Sequence, residues 1–274
     1  MENLFMRNNI KKYMDKHFNS LENKVVFISG GTGEIGLSII EELVYLKAKV
    51  ILGARDLAKG LEVQQKYNVE LIHLDLNDMM SIISCVKELK KYNIDFAIHN
   101  AGISNPIKVY KEFKIESNFM VNCYGPYYMI RELKNVTHII VGSISYRKNN
   151  DLYSSSKRSL LQIAYIFNKE GYDIRVTHPG IVNTKLFKKR NKGLLVNLIK
   201  PFMNDSYKSG LSIMSGIYIK PELDKWIGPR GLFESFGYPK VKALSKRLFS
   251  EIELGAIKNS IININMIMEE KYGI

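Results

Sequence analysis

The sequence predicts one α/β domain built on a doubly wound parallel sheet with helices on both faces, and three observations carry that reading. Apolar runs of strand type alternate with amphipathic runs of helix type from residue 24 to residue 177. The first such junction holds a glycine-rich turn, Gly30-Gly31-Thr32-Gly33-Glu34-Ile35-Gly36. Nearly all residues with useful chemistry fall just after strand-type runs, the ends at which open α/β sheets bind ligands. The 274 residues fit a single domain, since α/β domains often run past about 200 residues undivided.

Residues 1–23 precede the first strand, and Leu4, Phe5, Ile10, Tyr13, Met14 and Phe18 recur at near-helical spacing. They predict a short amphipathic helix docked on the body, with covering a neighbour or touching a membrane surface as the alternatives. Lys24-Val25-Val26-Phe27-Ile28-Ser29 reads as a buried strand, and a helical run follows the glycine turn through Ile39, Ile40, Leu43, Val44 and Leu46. A strand, a glycine turn and a helix are what a pyrophosphate site requires. The glycines allow close backbone approach, and the helix N-terminus offers free N–H groups and a partial positive charge. Gly30, Thr32, Gly33, Glu34, Ile35 and Gly36 are therefore the candidate phosphate cradle of a dinucleotide fold of the Rossmann type.

Lys49-Val50-Ile51-Leu52-Gly53 is the next strand and ends in Ala54-Arg55-Asp56. An acid at this point accepts the ribose 2′-hydroxyl, whereas an arginine suits a 2′-phosphate. Ala54 stands at the acid's place and Arg55 follows, which favours NADP(H), with NAD(H) as the alternative. Asp56 reads as the cap of the following helix. Strands at 69–74, 94–99, 137–142 and 173–177 and helices at 79–90, 117–133 and 153–171 complete the alternation.

The stretch after the strand at 137–142 carries the chemistry. Ser143 ends the strand and Tyr153 opens a helix, with Lys157 four residues on and so on the same helical face. A tyrosine with a pKa of about 10 is a poor acid–base group near neutrality, and a neighbouring ammonium lowers that value. A serine hydroxyl can hold the oxygen of the reacting carbon while the proton moves. The spacing alone proves little, because Tyr-x-x-x-Lys occurs five times, at Tyr45, Tyr110, Tyr153, Tyr165 and Tyr238. Only the pair at 153 and 157 follows a strand ending in serine.

Composition excludes several classes. Hydrophobic content of 46% and charged content of 24% are those of an ordinary globular chain. The formal charge of +13 is spread through the sequence without a recognition motif, so no nucleic-acid partner is expected. Cys85 and Cys123 have no metal-type spacing partner and fit a reducing cytoplasm. The five histidines form no metal pair, and no apolar run approaches the ~18 residues of a membrane span.

Taken together, residues 24–188 resemble the short-chain dehydrogenase/reductase family. Gly30, Gly33 and Gly36, Asp75, Asn100-Ala101-Gly102, Asn122, Ser143, Tyr153 with Lys157, and Pro179-Gly180-Ile181-Val182-Asn183-Thr184 occur in the family's order. The resemblance implies Tyr153 as catalytic acid/base, Lys157 lowering its pKa and binding the nicotinamide ribose, Ser143 holding the substrate oxygen, and Asn122 supporting the proton relay. It also implies Asp75 on the adenine with Leu76 in the same cofactor stretch, and Asn100, Ala101 and Gly102 lining the cofactor. Pro179 and Gly180 would lie beside it, with Val182 and Thr184 on the nicotinamide amide. Residues 51–60, with Gly228-Pro229-Arg230-Gly231-Leu232 and Gly237-Tyr238-Pro239, are similar to the retinol-dehydrogenase-like branch, which would imply a lipophilic alcohol or carbonyl substrate.

Four departures stand out. Glu34 occupies a place where many members carry glycine; Ser143 lies only ten residues before Tyr153; His99 replaces an asparagine; and no glycine-ended strand is read near the C-terminus. Residues 185–218 read as a lid over the substrate, with Lys188 to Lys192 as a solvated helix face and recognition of an acidic substrate as the alternative. Residues 241–274 read as helical, and their apolar part, residues 257–268, packs on the body or a second subunit. The helices at 117–133 and 152–171 permit a homodimer. A non-catalytic dinucleotide sensor on the same fold is the alternative function. A serine hydrolase fits poorly, because Gly142-Ser143-Ile144-Ser145 lacks the glycine two residues beyond the serine that a nucleophile elbow requires.

Overall fold

The computed structural model describes residues 8–104, 115–148, 151–182 and 203–273. Its strands are β1 (Val25–Ser29), β2 (Lys49–Ala54), β3 (Glu70–His73), β4 (Phe96–His99), β5 (Thr137–Val141), β6 (Ile174–Thr177), β7 (Lys225–Pro229) and β8 (Pro239–Ala243). They form one sheet in the order β3-β2-β1-β4-β5-β6-β7-β8, parallel throughout except for β8, which runs antiparallel to β7. The chain winds outward from β1 to β3 and then returns to β4 on the other side of β1. That reversal leaves a crevice beyond the C-terminal ends of β1 and β4.

The helices are α1 (Asn8–His17), α2 (Glu34–Tyr45), α3 (Leu57–Tyr67), α4 (Met79–Leu89), α5 (Ser117–Phe119), α6 (Gly125–Glu132), α7 (Leu152–Lys169), α8 (Ser206–Tyr218) and α9 (Glu251–Tyr272). Alternate residues of the central strands feed two cores. Phe27, Ile51, Ala97 and Ile140 face α4, α6, α7 and α9, whereas Ile28, Leu52, Ile98 and Ile139 face α1, α2 and α8. Asp56, Asp78, Asp151 and Asp205 accept first-turn N–H groups and so start α3, α4, α7 and α8.

α1 docks on the body. Ile10 and Met14 are fully buried, Phe18 stacks on Tyr218 with ring centroids 4.6 Å apart, and Tyr13 stacks on Tyr238 at 4.7 Å. Full burial of each such apolar side chain stabilises by about 1.5–3 kcal/mol, enough to hold a helix too short to persist alone.

Several readings of the sequence need correction. A seventh strand, β7, does lie beside β6, and an antiparallel edge, β8, follows it. Both are five residues long and are punctuated by glycine or proline, so their periodicity is weak. Residues 241–243 therefore belong to a strand, and the helical tail begins at Glu251. The end of the segment read as a lid is instead a core helix: residues 209–217 of α8 are all buried. The rest of that reading, including Lys188 to Lys192, lies outside the described residues. α9 packs on α7 through Ile257, Ile261 and Met268, and Asn265 bonds Tyr124 and Tyr127, so part of the surface offered to a second subunit is covered. Among the described residues, no helix is long and apolar enough to cross a membrane.

Candidate active site

A cleft of about 430 Å³ opens where the strand order reverses. One wall is the turn after β1, with Gly30, Thr32, Gly33, Glu34, Ile35 and Gly36; the other is Asn100, Ala101 and Gly102 after β4. Ala54, Arg55, Asp56 and Lys59 close one end, with Asp75 and Leu76 beside them. The turn is shaped by backbone that only glycine fits. Gly30 has φ +70°, and a methyl at Gly36 would come within 2.3 Å of the Gly30 carbonyl oxygen. Gly33 caps α2 without a side-chain bond, leaving the first-turn N–H groups directed at the cleft. Asn100 braces this geometry: its Nδ2 donates to the carbonyls of Ser29 (3.2 Å) and Gly30 (3.0 Å), while Ser29 Oγ accepts from Ala101 N–H. The cradle, the open helix end and the cleft volume suit a dinucleotide.

Charge around the cleft is unequal. Glu34 is exposed at the start of α2. Asp56 is engaged twice, capping α3 and pairing with Lys59 at 2.7 Å, and the Lys59 ammonium holds its carboxyl below the usual range. Among the described residues, the exposed Arg55 guanidinium has no hydrogen-bond or ion-pair partner. Asp75 accepts the Asn77 N–H at 2.9 Å, while its own N–H donates to Ser81.

The second half of the site begins where the first ends. A methyl at Gly102 would lie 3.2 Å from Asn122 Oδ1 and 3.6 Å from Lys157 Nζ. Asn122 is fully buried on a π-helical turn, Met120–Tyr124, between α5 and α6. The reading of one regular helix over 117–133 missed this turn. Pro126, which has no N–H, cannot donate to the carbonyl four residues back, that of Asn122, and Gly125 N–H reaches back five residues to Met120. Asn122 Oδ1 accepts from Ile103 N–H (2.8 Å), and its Nδ2 donates to Ile103 O and to Ser156 Oγ, both at 2.9 Å. Ser156 Oγ in turn donates to the Tyr153 carbonyl at 2.8 Å.

Lys157 is buried and donates to the Val141 carbonyl at 2.8 Å, at the end of β5. Burial pushes its pKa down to about 8, with Cys123 acting in the opposite direction. Tyr153, 9% exposed, lies one turn before it in α7. Ser143 lies two residues beyond Val141, and its Oγ accepts from Ser145 N–H at 3.2 Å, starting a 3₁₀ turn, Ile144–Arg147. That turn takes up the short connection between serine and tyrosine. His99, the departure before Asn100, bonds His138 on the neighbouring strand (3.0 Å), and burial keeps both imidazoles neutral, His138 down to about 4.

Beyond β6, Pro179, Gly180 and Val182 form the remaining predicted edge; Thr184 lies outside the described residues. Gly180 has φ +84°, its N–H donates to His178 Nδ1, and the Pro179 carbonyl accepts from Asn204. His178 Nε2 donates to Glu234, whose carboxylate also receives Arg147 at 2.6 Å. Burial favours the neutral acid, yet His178 and Arg147 hold Glu234 down to about 2.

The sequence of residues 24–195 matches the model of the family described as short chain dehydrogenase. The chain belongs to the short-chain dehydrogenase family. Among its relatives is the 3-oxoacyl-(acyl-carrier-protein) reductase of Buchnera aphidicola, 30% identical over 192 residues, 62% of this chain and 78% of the relative. Of solved structures, a Mycobacterium paratuberculosis protein has a TM-score of 0.66 at 21% identity, over 89% of this chain and 94% of that one. The NADP complex of Pseudomonas aeruginosa RhlG has a TM-score of 0.59 at 20% identity, over 73% and 93%. At such identity these two show the fold. As a short-chain dehydrogenase the protein is an NAD(P)-dependent oxidoreductase acting on CH–OH and C=O groups.

The candidate site of this short-chain dehydrogenase has supporting residues that the sequence did not single out. Ser29, Ser156 and the Val141 carbonyl hold Ala101, Asn122 and Lys157 by hydrogen bonds that cross between elements. Glu234 lies 91 residues beyond Ser143, and nothing in its local pattern marks it. Only the closing of the sheet through β7 brings it against Arg147 and His178.

Proposed function

We propose that this dehydrogenase prefers NADP(H) and interconverts a lipophilic carbonyl and its alcohol, with Tyr153 as acid/base. The observation that carries the reading is the convergence of Asn122 and Lys157 at Gly102, the far wall of the dinucleotide cleft, with Asn122 tied to α7 through Ser156. When bound, the nicotinamide supplies hydride to the carbonyl carbon or accepts it from the carbinol. The protein's own residues handle the oxygen and its proton. The Ser143 hydroxyl holds the oxygen, and the Tyr153 hydroxyl delivers the proton in reduction and takes it back in oxidation. The Lys157 ammonium favours the phenolate and so brings the tyrosine toward neutrality. Asn122, locked by Ile103 and Ser156, fixes the π turn beneath them. The lipophilic class of the substrate rests on the resemblance of residues 51–60 and 228–239 to the retinol-dehydrogenase-like branch.

Because burial sets the Lys157 pKa at about 8, its charge is present below that pH and lost above it. The expected kcat/KM for carbonyl reduction therefore falls as pH rises through about 8. A profile flat to about pH 9.5 separates Lys157 from the proton transfer.

Arg55 supports the preference for NADP(H), since Asp56 is already engaged by Lys59 and the α3 backbone. The test is titration with NADPH and NADH by nicotinamide fluorescence, in the parent and in Arg55→Ser. Loss of a charge-assisted contact is expected to weaken NADPH binding by roughly 10- to 100-fold and leave NADH unchanged. A parent protein that prefers NADH discards the role given to Arg55.

A further inference from the structure

We infer that Glu234 is a positioning residue that ties the two turns flanking the proton-transfer site into one unit, an inference that rests on the site proposed above. One turn follows β5 and carries Ser143; the other follows β6 and carries Pro179, Gly180 and Val182. The Glu234 side chain, 9% exposed, stands between them. On one side it accepts Arg147 Nη2 at 2.6 Å, from the 3₁₀ turn that Ser143 starts. On the other it accepts His178 Nε2 at 3.2 Å. His178 Nδ1 accepts the Gly180 N–H at 3.0 Å, which fixes the tautomer that donates to Glu234. His178 is fully buried and stacks on Trp226 at 4.2 Å, so it has little room to turn.

The loop that delivers the carboxylate is built for that placement. Phe233 and Glu234 both have left-handed backbone, φ 49° and 58°, which side chains of their size rarely adopt. The same loop contacts the β6 turn again: the Ser235 carbonyl accepts Ile181 N–H at 2.9 Å. Asn204 spans them, donating to the Pro179 carbonyl and accepting Gly237 N–H. The β5 turn, by contrast, reaches this loop through Arg147, whose side chain is 43% exposed. Removing that arginine severs the tie at its outer end and disturbs the core little.

The test compares the parent with Arg147→Met, Arg147→Lys and Glu234→Gln by hydrogen exchange and by turnover normalised to the number of cofactor sites. In Arg147→Met and Glu234→Gln, the amides of Tyr146 and Lys148 and those of Gly180 and Ile181 are expected to exchange together about tenfold faster, with β1 unchanged. Turnover per cofactor site is expected to fall about tenfold or more, and Arg147→Lys to restore most of it. Normalisation removes any loss that comes only from unfolded protein. Loosening of one turn without the other, a uniform loss of protection that includes β1, or coupled loosening at unchanged turnover overturns the inference. If Glu234→Gln does not fold, Arg147→Met decides the same question from the exposed end. If the parent reduces no carbonyl, the functional reading fails; coupled exchange still supports the tie, and uncoupled exchange still overturns it.

Discussion

Tyr153→Phe is expected to lower kcat by about 10²–10⁴-fold while leaving NADPH affinity near the parent value. The change removes one oxygen from a side chain that is 9% exposed and leaves its ring in place. The backbone role of this position is untouched, because the Ser156 hydroxyl bonds the Tyr153 carbonyl. What is lost is the hydroxyl proton, the step that general acid–base catalysis contributes. Steady-state kinetics beside a cofactor titration check both halves of the expectation. Unimpaired turnover removes Tyr153 from the mechanism, and loss of cofactor binding together with turnover makes its role one of binding.

Glu42→Met is expected to make the protein more stable at pH 8, by about 1–3 kcal/mol. Glu42 lies on α2 with no exposed surface, and neither carboxyl oxygen has a hydrogen-bond partner among the described residues. It faces α8, where a methyl at Gly210 would come 2.5 Å from Oε1. Burial, reinforced by Glu41 and Asp205, raises its pKa well above the ordinary carboxylate value, so the folded protein holds this proton after the unfolded chain has released it. The folded state therefore binds more protons in that window, and its stability falls as pH rises from about 4.3 toward the raised value. Methionine has no proton to hold. The gap between variant and parent should widen with pH, by roughly 2–4 °C in Tm for each kcal/mol. Thermal melts from about pH 5 to pH 9 check it. A variant less stable than the parent throughout shows that the carboxyl has a partner worth keeping.

Much of the fold was legible because each early junction combines several local signals. β1, the glycine turn and α2 follow one another with no ambiguous residue, and Asp56 caps α3 as its position predicts. The elements that carry the candidate catalytic residues were legible for the same reason: a strand end before Ser143, a polar turn, and a helix start before Tyr153 and Lys157. The rest required contacts distant in the chain. The π turn depends on a proline that, read locally, marks only a helix start. β7 is nearly all buried but only five residues long, so neither alternation nor length identifies it. The buried side of α8 looks like a lid in sequence, because Ser209, Gly210, Ser212, Ser215 and Gly216 dilute its apolar stripe. Small residues are used there because α2 packs closely against it, as Glu42 against Gly210 shows.

The docking of α1 has a consequence for synthesis. Ile10 and Met14 are synthesised well before Leu211, Ile213, Met214 and Ile217, with which they share a core. At about 5–20 residues per second, the gap of roughly 200 residues corresponds to some 10–40 s of translation. For that interval the apolar face of α1 has no finished site to occupy, even after β1 and β2 can pair. The nascent chain thus carries an exposed hydrophobic segment until α8 emerges. Its final docking joins α1 to α8, so α1 takes its place only after six strands of the sheet have been made.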